Sequence, residues 1–125
     1  MNLLLDTHVV LWWLADDPSL APAARQAIGQ GRNLVYISAA SVWEIVIKQA
    51  LGKLAVPAEF RDILGREPFL HLDITADHAF AVAKLPEHHR DPFDRMLVAQ
   101  CLVEGLALVT RDTDIKRYGI DIIEA

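Results

Sequence analysis

The chain has 125 residues, of which 53% are apolar and 23% are charged, and its formal net charge is −5. This size and composition fit one globular domain with its own core and exclude a disordered chain, so we predict a single domain over residues 1–125. The acidic balance argues against a basic surface that coats nucleic acid, but not against a nuclease whose acids hold divalent cations.

Cysteine content and the apolar N-terminus bear on the cell compartment. Cys101 is the single cysteine, which excludes an intrachain disulfide, and no Cys/His spacing fits a zinc site. No Lys or Arg precedes Arg25, and Asp6 interrupts the first apolar run, which argues against a signal peptide. The run is also too short to span a bilayer. We therefore expect a cytoplasmic protein without a membrane partner.

Apolar runs and turn residues alternate along the first half of the chain. They predict a strand at NLLLD, a helix at THVVLWWLADD with Thr7 as its cap, and a helix at APAARQAIGQG. The β-branched run NLVYIS predicts a second strand, and SVWEIVIKQALGK predicts a third helix that closes at Gly52.

The second half continues the alternation. It predicts a short helix at PAEFRDILGRE, a strand at FLHLDI and a helix at TADHAFAVAKL. A polar loop, PEHHR, and a long helix, DPFDRMLVAQCLVEG, come next. LALVT, RDTDIKRYG and IDIIEA follow as a strand, a short turn with a helix, and a terminal strand. Such alternation is typical of parallel β–α–β units with right-handed crossovers. We predict an α/β fold of three layers, α/β/α, around a mostly parallel sheet of four to five strands.

Four acids lie where predicted strands end or predicted helices begin. Asp6 closes the first strand, and Glu44 lies in the helix after the second strand. Asp94 lies in the first turn of the long helix, and Asp112 follows Thr110 by two residues at the end of strand four. Because the carboxyl ends of parallel strands share one edge of a sheet, we expect these four side chains to converge.

Each acid also has a local explanation as part of a helix start. Ser41 and Glu44 match a capping box, and Asp91 and Asp94 match the start DPFD. Asp112 can cap TDIKRY, and Asp6 can be a hydrogen-bonded residue just before the Thr7 cap. However, Ser, Thr and Asn cap helices as readily as acids do, so capping alone does not require carboxylates at these positions. Four carboxylates on one edge also repel each other unless a cation neutralises them. Oxygen ligands without Cys or His favour Mg²⁺ or Mn²⁺.

Four segments resemble the acidic motifs of PIN-domain ribonucleases, and most closely those of the toxin half of VapBC-type toxin–antitoxin pairs. They are LLLDTHVVLWWL, SAASVWEIVIK, HRDPFDRMLVAQ and LVTRDTDI, and the resemblance runs from residue 2 to about residue 118. It implies a PIN-like fold and a Mg²⁺-dependent endoribonuclease, with Mn²⁺ as a substitute. It also implies hydrolysis by a metal-activated water to a 5′-phosphate and a 3′-hydroxyl, a VapB-like antitoxin partner, and a homodimer.

The resemblance assigns the metal-holding and catalytic acids residue by residue. Asp6, Glu44 and Asp94 are the three core acids, and Asp112 is the fourth. The segment RDTD also offers Asp114, but Asp112 lies nearer the strand end and is preferred.

Several neighbours of these acids are candidates for helper roles. Thr7 and Thr110 carry hydroxyls that suit a metal-bound water, or serve only as a cap and a strand end. Asp91 is an auxiliary candidate whose simpler role is a helix cap. Arg95 and Arg111 adjoin the acids and are candidate contacts for RNA phosphates, or are solvated or ion-paired.

Other polar residues have simpler interpretations. Lys48 lies four residues after Glu44, so an ion pair along one helix face is its default role. His8, His88 and His89 are candidate general bases, although a metal-bound hydroxide would make a base unnecessary.

Trp12 and Trp13 lie about 100° apart around a helix. One of them can enter the core while the other faces a partner, or both belong to the core.

Two other functions compete with the nuclease. An aspartyl-nucleophile phosphatase or phosphotransferase of the haloacid-dehalogenase type usually has a second Asp where this chain has His8. A non-catalytic acidic module would bind a partner through the same edge, but no predicted metal ligand is replaced by a neutral residue. A receiver-type regulator is disfavoured because strand one carries one acid rather than an adjacent pair.

Overall fold

The computed structural model describes the whole chain, Met1–Ala125, as five strands and seven helices. The strands are β1 Asn2–Leu5, β2 Leu34–Ser38, β3 Leu70–Leu72, β4 Ala107–Thr110 and β5 Ile122–Glu124. The helices are α1 Thr7–Leu14, α2 Pro22–Gly29, α3 Ala39–Ala50, α4 Phe60–Gly65, α5 Ala76–Ala83, α6 Pro92–Glu104 and α7 Thr113–Lys116. None of these helices has the length and apolar character needed to cross a bilayer.

The five strands form one sheet in the order β3-β2-β1-β4-β5, and every pair is parallel. The prediction of a mostly parallel sheet with four to five strands is confirmed, and no strand runs antiparallel. Strand β1 is central, because Leu4 pairs with Tyr36 of β2 on one side and with Leu108 of β4 on the other. Strands β2 and β3 are added on one side of β1, and strands β4 and β5 on the other. An open α/β sheet binds its ligand at such a switch point, beside the carboxyl end of the strand.

Both faces of the sheet are covered by helices, which explains why the strands are almost wholly apolar. Leu3 and Leu5 of β1 point into a core shared with α1 and α2, whereas Leu4 points into a second core with α6. All three leucines are fully buried. The sheet and the helices packed on each of its two faces are the three predicted layers.

Two predicted helix starts are wrong by one to three residues. Asp6, not Thr7, occupies the cap position of α1, and Thr7 is its first helical residue. Helix α3 begins at Ala39 and is capped by Ser38, whose Oγ accepts a hydrogen bond from the Ala40 amide at 3.0 Å. The segment SVWE is therefore not a capping box, because Ser41 lies inside the helix. These shifts leave the side chains at Thr7, Ser41 and Glu44 free to bond to each other.

The predicted caps of two other helices, α6 and α7, are confirmed. Asp91 Oδ1 accepts hydrogen bonds from the amides of Phe93 and Asp94, at 2.8 and 3.2 Å, at the start of α6. Asp112 Oδ1 accepts from the Asp114 amide at 2.8 Å and caps α7. Helix α6 thus starts where Asp94 falls in its first turn, which directs that carboxylate toward the carboxyl edge of the sheet.

Candidate active site

A polar cavity of about 390 Å³ opens at the carboxyl edge of the sheet, beside the end of β1. We call it the acidic cavity, because five carboxylates line it. Its lining comprises Asp6, Thr7, His8, Val9, Trp12, Glu44, Lys48, His89, Asp91, Asp94, Arg111 and Asp112. The structure thus brings together all four acids that the sequence singled out, from four separate segments of the chain.

Asp6 is held at the end of the central strand by backbone and side-chain bonds. Its amide donates to the Val109 carbonyl at 3.0 Å, and Thr110 Oγ1 donates to its Oδ2 at 2.6 Å. Only 7% of Asp6 is exposed. Burial raises the pKa of Asp6 above its ordinary value, although the Thr110 bond and the charge of His8 oppose that rise. Thr110 therefore orients this carboxylate.

Glu44 reaches the cavity from the second turn of α3 and is bonded through both carboxylate oxygens. Thr7 Oγ1 donates to Oε1 at 2.7 Å, and Lys48 Nζ donates to Oε2 at 2.6 Å. Thr7 Oγ1 also lies 3.0 Å from Ser41 Oγ. The ion pair predicted between Glu44 and Lys48 is confirmed, and the bond to Glu44 raises the pKa of Lys48.

Asp94 and Asp112 meet at one histidine ring. His89 Nε2 lies 3.0 Å from Asp94 Oδ2 and 3.1 Å from Asp112 Oδ2. The Asp91 amide donates to His89 Nδ1 at 3.1 Å, so the hydrogen-bond network assigns the ring proton to Nε2. Burial lowers the pKa of His89, but the bond to Asp112 and the charge of Asp94 outweigh it, and the net direction is upward.

The crowding of acids is most evident at Asp94. Burial, followed by the charges of Asp6 and Asp91, raises the pKa of Asp94 to about 7, although His89 acts against this rise. An acid with that pKa is only partly ionised at neutral pH, because its charge is poorly solvated and neighbouring acids repel it. The cavity therefore has the electrostatics of a cation site.

Asp112 and Asp114, the two candidates for the fourth acid, differ in their position relative to the acidic cavity. The ligand atoms of His89, Asp112 and Asp114 all lie within 4.8 Å of one another. Asp112 lines the acidic cavity, whereas Asp114 is exposed and lies outside its lining. Asp6, Glu44 and Asp94 line the same cavity, but their carboxylates are not grouped as tightly as the ligand atoms of His89, Asp112 and Asp114.

The two arginines beside the acids have different surroundings. Arg95 turns away from the acidic cavity, and its guanidinium donates to the carbonyls of Val82 and Pro86, at 3.1 and 2.9 Å, and to Tyr118. It packs α6 against neighbouring segments and does not contact the acids. Arg111 lines the cavity and also donates to the Ala125 carbonyl through Nε at 3.2 Å.

The two tryptophans separate as the helical spacing requires. The Trp12 ring lies at the wall of the acidic cavity, with the Arg111 guanidinium 4.3 Å from its centroid. Trp13 lies outside the lining of the acidic cavity and packs against Phe69, with ring centroids 6.3 Å apart. Both are half-buried against the core that contains α1 and α2.

Sequence reasoning assigned His89 only as one of three candidate bases. Its contact with two acids follows from the loop before α6, which returns His89 to the cavity two residues ahead of the cap Asp91. A histidine immediately before the pattern RDPFD is the local signal that could have identified it. His88 instead packs edge-on against Tyr118, away from the acids.

Comparisons with known proteins agree with this geometry. The family model described as PIN domain matches residues 3–121. The chain belongs to the PIN-domain family. Ribonuclease VapC22 from Mycobacterium tuberculosis is 32% identical over 120 residues, which cover 94% of this chain and 92% of that protein. Within the PIN-domain family the chain is therefore of the VapC type.

Solved structures of two VapBC assemblies share the fold at low sequence identity. VapBC2 from Rickettsia felis, bound to a DNA fragment from its promoter, matches with a TM-score of 0.76 and 16% identity over 98% of both chains. DNA-bound VapBC from Salmonella typhimurium matches with a TM-score of 0.75 and 18% identity, over 98% of this chain and 97% of that one. At these identities the likeness concerns the fold alone.

Proposed function

We propose that this PIN-domain protein is a Mg²⁺-dependent endoribonuclease that acts as the toxin of a toxin–antitoxin pair. The observation that carries the proposal is the convergence of Asp6, Glu44, Asp94 and Asp112 in one cavity at the carboxyl edge of the sheet. The relative VapC22 is named a ribonuclease, and the structural neighbours include toxin–antitoxin complexes, which supports the same assignment.

The residues of the acidic cavity fit a divalent metal ion. Carboxylate oxygens are the ligands that Mg²⁺ prefers, and Mn²⁺ accepts the same set. Asp6, Glu44 and Asp94 would hold the ion, with Asp112 as the fourth acid. The excess of buried acids over cations supports the fit, because a divalent charge would relieve their repulsion. When bound, the ion activates a water and stabilises negative charge on the scissile phosphate.

The chain's own residues hold the acids in position for this chemistry. Thr110 and Thr7 fix one oxygen each of Asp6 and Glu44, and His89 bridges Asp94 and Asp112. Partners that orient metal ligands matter nearly as much as the ligands themselves. We assign Thr7 and Thr110 to orientation, with their hydroxyls already committed to carboxylates.

Arg111 is the arginine that we assign to the RNA phosphates. It lines the acidic cavity, and its guanidinium lies over the Trp12 ring, 4.3 Å from the ring centroid. Arg95 does not have this access, because it lies outside the lining of the acidic cavity.

The decisive experiment compares cleavage of RNA by the wild type and by Asp6→Asn with Mg²⁺ present. We expect the substitution to reduce the rate by more than about 100-fold, since it removes a carboxylate from the central strand. Asp121→Asn is the matched control, because Asp121 is exposed and lies outside the acidic cavity. Undiminished cleavage by Asp6→Asn, or cleavage that persists in EDTA, would contradict the proposal.

The partners of the protein are part of the same proposal. We expect a VapB-like antitoxin to bind it and inhibit cleavage, and we expect a homodimer in the cytoplasm, where RNA is available. Co-expression with the protein encoded immediately upstream, and sedimentation of the purified chain, test the two interactions separately. A monomer at all concentrations would contradict the dimer.

A further inference from the structure

Glu44 has no unbonded carboxylate oxygen with which to meet a metal ion. Thr7 donates to Oε1 at 2.7 Å, and the ammonium of Lys48 donates to Oε2 at 2.6 Å. The glutamate is also buried, with 4% exposure, so water does not compete for it. A divalent ion that binds Glu44 must therefore share an oxygen with one of these donors or displace it.

The two donors differ in how readily they can leave. Thr7 is buried at 4% exposure, has a short side chain, and lies against Ser41. The Lys48 side chain is 39% exposed and lies one helical turn after Glu44 on α3. A lysine carries its charge on a flexible four-carbon chain, so its ammonium can move into water at small cost. Lys48 is therefore the displaceable donor.

Lys48 is also distinguished from the other base in the acidic cavity by the acids that act on it and by its freedom to move. Asp91 and Asp94 act electrostatically on its ammonium in addition to Glu44. Arg111, the other strong base in the lining, is tied to the Ala125 carbonyl and stacked on Trp12. Lys48 is the only lysine in that lining. Its ammonium thus stands beside a metal-holding acid as the mobile positive charge of the cavity.

We propose that Lys48 is the resident counter-cation of the acidic cavity, and that a divalent ion displaces its ammonium from Glu44 Oε2. The inference rests on the proposed function, since it takes the cavity to be a divalent-cation site. Lys48 then has two effects. It stabilises the metal-free protein by pairing with a buried carboxylate, and it weakens metal binding because the ion must compete with it.

Calorimetric titration of Mn²⁺ into the full chain tests the proposal. For Lys48→Met we expect binding about tenfold tighter than for the wild type, because one nearby positive charge and one competitor are removed. Lys48→Arg keeps the charge and is expected to stay within about threefold of the wild type. Lys53→Met is the matched control: it makes the same charge change at an exposed residue outside the cavity, where solvent screens the effect.

Thermal unfolding of the same variants supplies a second readout. We expect Lys48→Met to melt below the wild type without metal and to gain more from saturating Mn²⁺, since it leaves Glu44 buried and unpaired. If that variant does not fold without metal, Lys48→Gln carries the same expectation for Mn²⁺ affinity, because it keeps a hydrogen-bond donor and removes the charge.

Unchanged or weaker Mn²⁺ binding by the Met and Gln variants would overturn the proposal, because Lys48 would then hold Glu44 in place for the metal. An equal gain in affinity from Lys53→Met would also overturn it, since net charge alone would explain the effect. If neither the wild type nor any variant binds Mn²⁺, the metal site itself fails. That result contradicts the proposed function, and it is distinguishable from failure of the role of Lys48.

Discussion

The acidic cavity differs in charge balance from a second polar cluster at α5 and α6, in which the buried His78 and Gln100 lie beside the exposed Thr75 and Glu104. We call this the His78 cluster. His78 is fully buried, yet each ring nitrogen has a complementary partner. Nδ1 accepts from the Thr75 amide at 3.0 Å, so Nε2 carries the proton and faces Glu104 Oε2 at 2.8 Å. In the acidic cavity, five carboxylates share two permanently charged bases, Lys48 and Arg111, and two histidines, His8 and His89.

The difference separates polar groups that serve folding from polar groups that serve binding. In the His78 cluster, both ring nitrogens of His78 have hydrogen-bond partners, so the ring holds α5 against α6 without help from a ligand. In the acidic cavity, burial and then the charges of Asp6 and Asp91 raise the pKa of Asp94 to about 7, so repulsion between acids adds to the cost of burying this charge. Residual repulsion of this kind costs stability and is relieved when a cation binds.

The largest expected effect follows from Asp94→Asn, which should change activity and stability in opposite directions. We expect RNA cleavage with Mg²⁺ to fall by more than about 100-fold, because a proposed metal ligand is lost. We expect the metal-free melting temperature at pH 8 to rise, because a buried and repelled charge is removed. A fall in both quantities would mean that Asp94 is a structural residue like those of the His78 cluster.

His78→Leu probes the matched cluster. We expect the free energy of unfolding in urea to fall by about 2–4 kcal/mol, because the Thr75 amide and the Glu104 carboxylate lose their buried partner. Mn²⁺ affinity of the folded variant should stay at the wild-type value. Glu104→Gln, which keeps an acceptor for His78, is the milder control. A selective loss of Mn²⁺ affinity in His78→Leu would break the distinction between the two regions.

The pH dependence of stability should reveal the acidic cavity in the wild type. The pKa of Asp94 is about 7 in the folded protein against 3.8 ordinarily, so the folded state binds a proton that the unfolded chain has released. The contribution of Asp94 to stability is therefore greatest below pH 3.8 and is lost as pH rises from there through about 7. The raised pKa values of Asp6 and His89 act in the same direction.

Between pH 5 and pH 8 we expect this effect to cost the metal-free protein about 1–3 kcal/mol of unfolding free energy, measured in urea at each pH. Saturating Mn²⁺ should remove or reverse the slope, because the ion binds the ionised acids. Stability of the metal-free protein that increases over this range would contradict the charge imbalance.

The smallest effect is expected at Gln100, where the His78 cluster departs from complete pairing. Gln100 Oε1 is the one buried side-chain polar atom without a hydrogen-bond partner. Its Nε2 makes only long contacts of 3.4 Å, to the Asp73 carbonyl and His78 Nδ1. We expect Gln100→Met to change the unfolding free energy by less than about 1 kcal/mol. A loss above about 2 kcal/mol would show that these long contacts stabilise the protein strongly.

Much of the fold could be predicted from the sequence, because its signals are local. The continuous apolar run before Asp6 indicated a strand buried on both faces, and β1 is the central strand. The caps Asp91 and Asp112 were readable because a cap bonds to amides two or three residues away. The starts of α1 and α3 were misplaced, because Thr7 and Ser41 have the residue types of caps while their bonds are made elsewhere.

The sequence by itself determined the α/β class, the order of the acidic segments and the pairing of Lys48 with Glu44, since that pair spans a single helical turn. Only the tertiary structure decided that Thr110 would bond to Asp6 across 104 positions, that His89 would join two acids, and that Arg95 would turn away. The reason is physical. A side chain's direction depends on the packing of its whole element, and distant elements supply the partners.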